Sequence, residues 1–123
     1  MKDKWQTIHD FWNSFTIPAY DEHSVPDNAV MPYITYNATV ANFEKPFTLT
    51  ASIWYRQTGW QAISNKADEI ARYIGSSYKA IRIKDNNYMV ITQGNPFAQR
   101  MSDEDDSVRR MYLMVDTEFY TEV

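Results

Sequence analysis

The chain has 123 residues, 44% hydrophobic and 23% charged, the composition of one folded domain of ordinary size rather than of a disordered segment. It contains no cysteine, which excludes disulfides, zinc–thiolate sites, iron–sulfur clusters and cysteine nucleophiles. A formal charge of -4 argues against a surface that grips phosphate backbones, and 3 glycines leave little material for phosphate-cradling loops.

No apolar run reaches the roughly 20 residues of a membrane span, and His9, Asp10 and Asn13 interrupt the N-terminal stretch where a secretory signal needs an unbroken apolar core. The expectation is one soluble, intracellular domain over 1–123. Aromatic residues are abundant at 15%, more than a small core hides. The surplus Tyr and Trp must lie part-exposed, where they suit protein–protein contacts.

Met1 to Phe15 is predicted as a helix, because Trp5, Ile8, Phe11, Trp12 and Phe15 recur at three- and four-residue steps. Asp3 is its expected N-cap, and Pro18 ends the pattern. Tyr20 to Pro32, rich in Asp, Ser, Asn and Pro, is predicted as a loop. Two alternating segments follow, Tyr33 to Val40 and Phe47 to Arg56, read as an antiparallel hairpin.

The second helix is signalled by Thr58 and Gln61 as a capping box. Its apolar stripe is Trp60, Ile63, Ala67, Ile70, Ala71 and Ile74, with Gly75 as its stop; Gln61, Asn65, Lys66, Asp68, Glu69 and Arg72 are expected to face water. Tyr78 to Lys84 and Asn87 to Gln93 form a second hairpin around Asp85 and Asn86. Gly94 to Asp106 is predicted as a loop, and Val108 to Tyr120 as the last strand. The order α-β-β-α-β-β-β implies an α+β fold, an antiparallel or mixed sheet of about five strands with two α-helices packed on one face. Alternation leaves Thr48, Thr50, Arg82, Lys84 and Glu118 on the other face, together with Trp54, Tyr112 and Tyr120, a candidate docking surface.

Catalytic signals are missing. His9 and His23 have no neighbours at metal-ligand spacing and read as ordinary solvated histidines. There is no Gly-x-Ser-x-Gly elbow and no Walker lysine. The acidic run Asp103, Glu104, Asp105 and Asp106 lacks the glycine and ligand spacing of an EF-hand. It is a solvated loop, a surface for a basic partner, or the lining of a channel that a polyanion slides through. Just before it, Phe97 and Met101 either plug the core or reach a neighbouring subunit. Arg109 and Arg110 pair with the acids as a weak surface effect. Asn37-Ala38-Thr39 matches a glycosylation acceptor, but inside a predicted strand it is a chance match. Trp5, Trp12 and Trp60 lie on apolar helix faces and read as core; Trp54, alternating with Ile53, does not.

Several segments together carry a resemblance: Phe15-Thr16-Ile17-Pro18-Ala19-Tyr20, Met31-Pro32-Tyr33-Ile34-Thr35-Tyr36, Leu49-Thr50-Ala51-Ser52-Ile53-Trp54-Tyr55, Gly94-Asn95-Pro96-Phe97-Ala98-Gln99-Arg100-Met101 and Arg110-Met111-Tyr112-Leu113. In this order, over nearly the whole chain, they resemble the small tail-terminator, or tail-completion, proteins of long-tailed bacteriophages and prophages. The resemblance implies a non-enzymatic virion protein without cofactor or metal, in the host cytoplasm during assembly and on the phage tail afterwards. It implies a homo-oligomeric ring, typically hexameric, on the head-proximal end of the tail tube. That ring stops tube polymerisation and presents a surface to the head-completion or connector protein, while DNA passes through its lumen without specific binding and no membrane is engaged. Such a ring needs two different sticky surfaces on each subunit, which surplus Tyr, Trp and Met can supply. The candidate contact residues are Trp54, Tyr112, Phe97, Arg100, Met101, Asp103, Glu104, Asp105 and Asp106. Two other readings stay open: a head-completion or connector protein, and a small-ligand-binding α+β module, which would show a pocket with convergent polar groups.

Overall fold

The computed structural model describes residues 3–121. Its elements are α1 (Lys4–Trp12), β1 (Ala19–Asp21), β2 (Tyr33–Asn37), β3 (Phe47–Arg56), α2 (Gln61–Ile74), β4 (Lys79–Lys84), β5 (Asn87–Met101) and β6 (Val108–Tyr120). The strands form one mixed sheet of order β1-β2-β3-β6-β5-β4, antiparallel except for the parallel pair β1 and β2. The architecture is α+β, with six strands rather than about five. No helix among the described residues is long and apolar enough to cross a membrane.

Asp3 caps α1 as expected, its Oδ1 accepting from the Gln6 N–H at 2.6 Å. The helix ends at Trp12 instead of Phe15. Asn13 leaves the helix, and its Oδ1 accepts from the Ala19 N–H at 3.0 Å; Ser14 Oγ donates to the Phe11 carbonyl at 2.7 Å. These short polar side chains offer the backbone an alternative to another turn. Thr16 then adopts a left-handed φ of 66°, which folds Phe15 back into the core, where it is 2% exposed.

The return leg supplies the unexpected strand. Ala19–Asp21 pairs in parallel with Ile34–Tyr36, the Ile34 N–H donating to the Pro18 carbonyl and the Glu22 N–H to the Tyr36 carbonyl. Three residues are too few for alternation to register, and a parallel partner a dozen residues on has no turn signature. β2 stops at Asn37 rather than Val40, since Asn37 spends its side chain on Glu22 and Thr39. Strands β3 and β6 have the expected bounds and pair along their lengths, from Phe47↔Thr117 to Arg56↔Val108.

The capping box at Thr58 and Gln61 does not form. Trp60 occupies the N-cap without a side-chain bond, and Gln57 Oε1 accepts from the Ile63 N–H at 3.2 Å in its place. Thr58 is engaged through its carbonyl, which accepts from Arg109 Nη2. The helix ends at Gly75, as expected, with φ 87°, a conformation that favours a residue without Cβ. Lys66, expected to face water, is buried. Its Nζ donates to the Phe15 carbonyl at 2.7 Å, to Thr16 Oγ1 at 3.1 Å and to Glu69 Oε1 at 2.9 Å. A single amine thus fastens α2 to the turn after α1 and satisfies polar groups that burial would otherwise leave bare.

The largest departure is β5. It does not end at Gln93 but runs through the expected loop to Met101. Ladder pairs with β6 hold up to Gln93↔Val115, break, and resume from Ala98↔Leu113 to Met101↔Arg110. Gly94 and Pro96, which read as loop punctuation, instead mark a bulge. A Cβ on Gly94 would stand 2.6 Å from the Met114 carbonyl oxygen, so glycine is what allows β5 to approach β6 there. Only 102–107 remains as connection.

Both helices cover one face of the sheet. Ile8, Phe11 and Trp12 of α1 and Ile63, Ile70 and Ile74 of α2 meet Ile34, Leu49, Ile53, Leu113 and Val115, nearly all shielded from water. At roughly 25 cal/mol for each Å² of apolar surface, this layer supplies most of the force that holds helices to sheet. Trp12 is in this core. Trp5 is not: it is 51% exposed and edge-on to Phe43, with ring centroids 5.0 Å apart.

Candidate interaction surface

The strand register fixes what the uncovered face presents. One row runs Tyr33↔Trp54↔Arg110↔Met101, and the next Thr35↔Ser52↔Tyr112↔Gln99, with Tyr20 beyond Thr35. These side chains lock one another. Trp54 Nε1 donates to Thr35 Oγ1 at 2.9 Å, and the Arg110 guanidinium lies 4.9 Å from the Trp54 ring while its Nε donates to Ser52 Oγ at 2.9 Å. Tyr20 and Tyr33 meet edge to face at 5.8 Å. Such preorganised aromatic and Arg anchors lose little freedom on binding.

A polar band follows, Asn37↔Thr50↔Met114 and Thr48↔Asp116↔Thr92, in which Thr48 Oγ1 donates to Asp116 at 2.9 Å. The far end turns apolar again, with Val90 opposite both Glu118 and Ala80, and Tyr88 opposite Tyr120. Tyr78 and Tyr120 are 63% and 53% exposed. They flank a shallow cleft of about 280 Å³ shared with Pro46, Val90 and Asp116. The Tyr120 hydroxyl donates to Glu118 at 3.0 Å, and that carboxylate holds the phenol above its ordinary pKa.

Of the residues singled out from the sequence, Trp54, Tyr112 and Met101 share this face. Arg100 does not. It stands opposite Met111 on the helix side, where its guanidinium is 4.8 Å from the Trp60 ring and that of Arg109 is 5.4 Å away. Trp60 is therefore a half-buried plate between two cations and not plain core. Phe97, in the bulge, packs against the core. Of the charged strand residues read onto the open face, Arg82 lies there opposite Tyr88, but Lys84 follows a register break and lines a cleft beside α1. Tyr20, Tyr33, Tyr78 and Tyr88 were not singled out. Alternation already separates Tyr33 from Ile34, but β1, which brings Tyr20 alongside, leaves no sequence signal.

Asp103 to Asp106 form the exposed turn between β5 and β6, beside the Trp54 end of the face. The turn is built rather than loose. Asp105 Oδ1 accepts from the Ser107 N–H at 2.8 Å and from Ser107 Oγ at 2.7 Å, and Arg56 Nη1 lies 3.4 Å from Asp105 Oδ2. The Ser107 bonds, aided by Arg56, hold the Asp105 carboxyl below the usual aspartate range. Asp105 is therefore expected to stay ionised to lower pH than an ordinary aspartate. Ser107→Ala should raise its titration toward the ordinary aspartate range, as read from carboxyl NMR shifts. Arg109 bonds the Asp106 backbone carbonyl at 2.9 Å and not its side chain.

His23 bonds Asp21 at 3.0 Å in an exposed loop, while His9, expected to be solvated, meets the Tyr36 hydroxyl at 2.8 Å. Among the described residues, no group of three or more His, Asp or Glu could hold a metal ion. A cleft of about 400 Å³ at the other rim is lined by Trp5, Phe43, Ile83, Lys4 and Lys84, apart from the aromatic face.

No protein-family model matches the chain, and none of the curated proteins does. The fold is shared with a chain in the solved structure of the virion of a native gene transfer agent (GTA) particle. The two superpose with a TM-score of 0.55 over 88% of this chain and 83% of that one, at 14% identity. The α+β architecture is thus one that a virion component uses.

Proposed function

We propose that this protein is a structural component of a phage-type virion and, more narrowly, a tail terminator. In this reading it forms a ring, typically a hexamer, on the head-proximal end of the tail tube. The ring ends tube polymerisation and offers the surface that the head-side connector joins; DNA passes through its lumen, no chemistry is performed, and no cofactor is required. The observation that carries the reading is the fold shared over 88% of the chain with a chain of the gene transfer agent virion. The motif order from Phe15 to Leu113 narrows it to the tail.

The surface that serves this role is the open sheet face around Trp54 and Tyr112, rimmed by Met101 and the Asp103–Asp106 turn. It combines rigid aromatic anchors with a polar rim, the anatomy of a specific interface.

Deleting the gene and imaging the particles by negative-stain electron microscopy tests the function. Overlong headless tails beside filled, tailless heads are the expected result. Tails of normal length beside unjoined heads would assign the protein to the head side, and intact particles would overturn the assembly role.

A further inference from the structure

The charges of this chain are segregated along the sequence. From Trp5 to Glu44 there is no lysine or arginine, and from Ala71 to Lys84 there is no acid. The topology turns this into geometry. The first segment holds β1 and β2, at one lateral end of the sheet, with Asp21, Glu22 and Asp27; α1 crosses the sheet, its first turn with Lys4 beside Ile83 and Lys84 of β4 and its later turn reaching β2 through His9 and Tyr36. The second holds all of β4, at the opposite end, with Lys79, Arg82 and Lys84 and one acid, Asp85, in the turn that follows; the last turn of α2, with Arg72, joins it there, Lys79 Nζ lying 4.9 Å from the Tyr73 ring.

The two ends also differ in their backbone. The β1 edge is three residues long and already engaged, the Ala19 N–H donating to Asn13 Oδ1 and the Asp21 carbonyl accepting from the Ser24 N–H. The β4 edge is six residues long, and among the described residues β5 is its one partner in the sheet. Two β4 edges brought together across a two-fold axis would set Lys79, Arg82 and Lys84 against their own copies. Like charges on an edge strand are a barrier to that pairing. The acidic end of another copy meets no such barrier.

We infer that copies of this chain associate head to tail, with the basic β4 end of one seated on the acidic β1–β2 end of the next. A contact between two different patches on each subunit is heterologous, the kind that closes into rings or extends into filaments. Because the β1 edge is engaged, the contact runs through side chains and charge rather than a continued hydrogen-bond ladder, which makes it salt-sensitive. The inference rests on the ring reading above and deepens it by naming which ends of the sheet meet.

Charge reversal tests it. One variant carries Arg72→Glu and Arg82→Glu, the other Glu22→Lys and Asp27→Lys; all four side chains are exposed. The wild type is expected to self-associate in sedimentation velocity at low ionic strength, and to lose that association in high salt. Each variant alone should associate about tenfold more weakly. An equimolar mixture of the two should regain association, because every contact in it again joins opposite charges. That recovery also shows that both variants are folded.

Association that ignores both salt and reversal, or a mixture that stays as weak as its components, overturns the inference. A wild type that is monomeric at low salt overturns it as well. None of these outcomes decides the terminator reading, which stands or falls on the particles seen after gene deletion.

Discussion

Trp12→Ala is expected to destabilise the fold by about 3–5 kcal/mol, the cost of emptying a large buried aromatic site, whereas Trp12→Phe should cost far less. Trp12 is 0% exposed, and its ring centroid lies 4.7 Å from that of Phe11. Its indole N–H is also buried and finds no acceptor among the described residues. A bare buried donor carries a desolvation penalty of about 1–3 kcal/mol in the folded state. Phenylalanine removes that penalty while keeping most of the packing volume, so the two effects oppose each other. Urea denaturation of the three proteins measures the difference. Equal losses for Phe and Ala would mean that the N–H is bonded in solution and that the penalty does not exist.

The contrast matters because the end of α1 leads directly into β1, the edge strand of the sheet. Behind Trp12 lie Phe11 and Phe15, edge to face at 5.5 Å, and both reach Tyr73 of α2 at 6.0 Å and 5.4 Å. Lys66 ties the same turn from the other side. Loss of the Trp12 ring should loosen the connection that positions β1, and with it Tyr20 on the open face.

Periodicity was a good guide where one face of an element is buried along its whole length. The bounds of β3 and β6 follow from alternation alone, since both strands are central and their inward residues meet helices throughout. The apolar stripe of α2 was legible for the same reason, and Lys66 was misplaced because hydropathy cannot see a carbonyl across the interface. A four-carbon stem reaching the Phe15 carbonyl depends on where α1 ends, a tertiary fact. β1 and the second half of β5 were hidden for another reason. Their strand character comes from a partner's ladder, against the local message of Pro18, Gly94 and Pro96. The candidate surface shows the same division. Trp54 and Tyr112 were legible from alternation. Arg100 was read as a loop residue because β5 was expected to end at Gln93; the strand instead resumes after a bulge, which resets its alternation and turns Arg100 to the helix side.

Trp54→Ala is expected to separate assembly from stability. The substitution removes one cation–π contact with Arg110 and one hydrogen bond to Thr35 from a half-buried site, a loss of about 1–2 kcal/mol in folding. As an interface anchor the same side chain would be worth at least about 2 kcal/mol, or roughly 30-fold in affinity. Arg110, released from the ring, would keep its bond to Ser52 but lose the contact that fixes its guanidinium over the open face. Joined particles should therefore fall by at least an order of magnitude while the purified protein still melts cooperatively. Trp60→Ala provides the opposite arm. Trp60 sits between Arg100 and Arg109 on the helix side, so its loss should affect melting more than joining. If Trp60→Ala abolishes joining and Trp54→Ala leaves it intact, the contact surface lies on the helix face. The open sheet face would then be solvent-facing, its aromatic rows held together by Arg110 and Thr35 for stability alone.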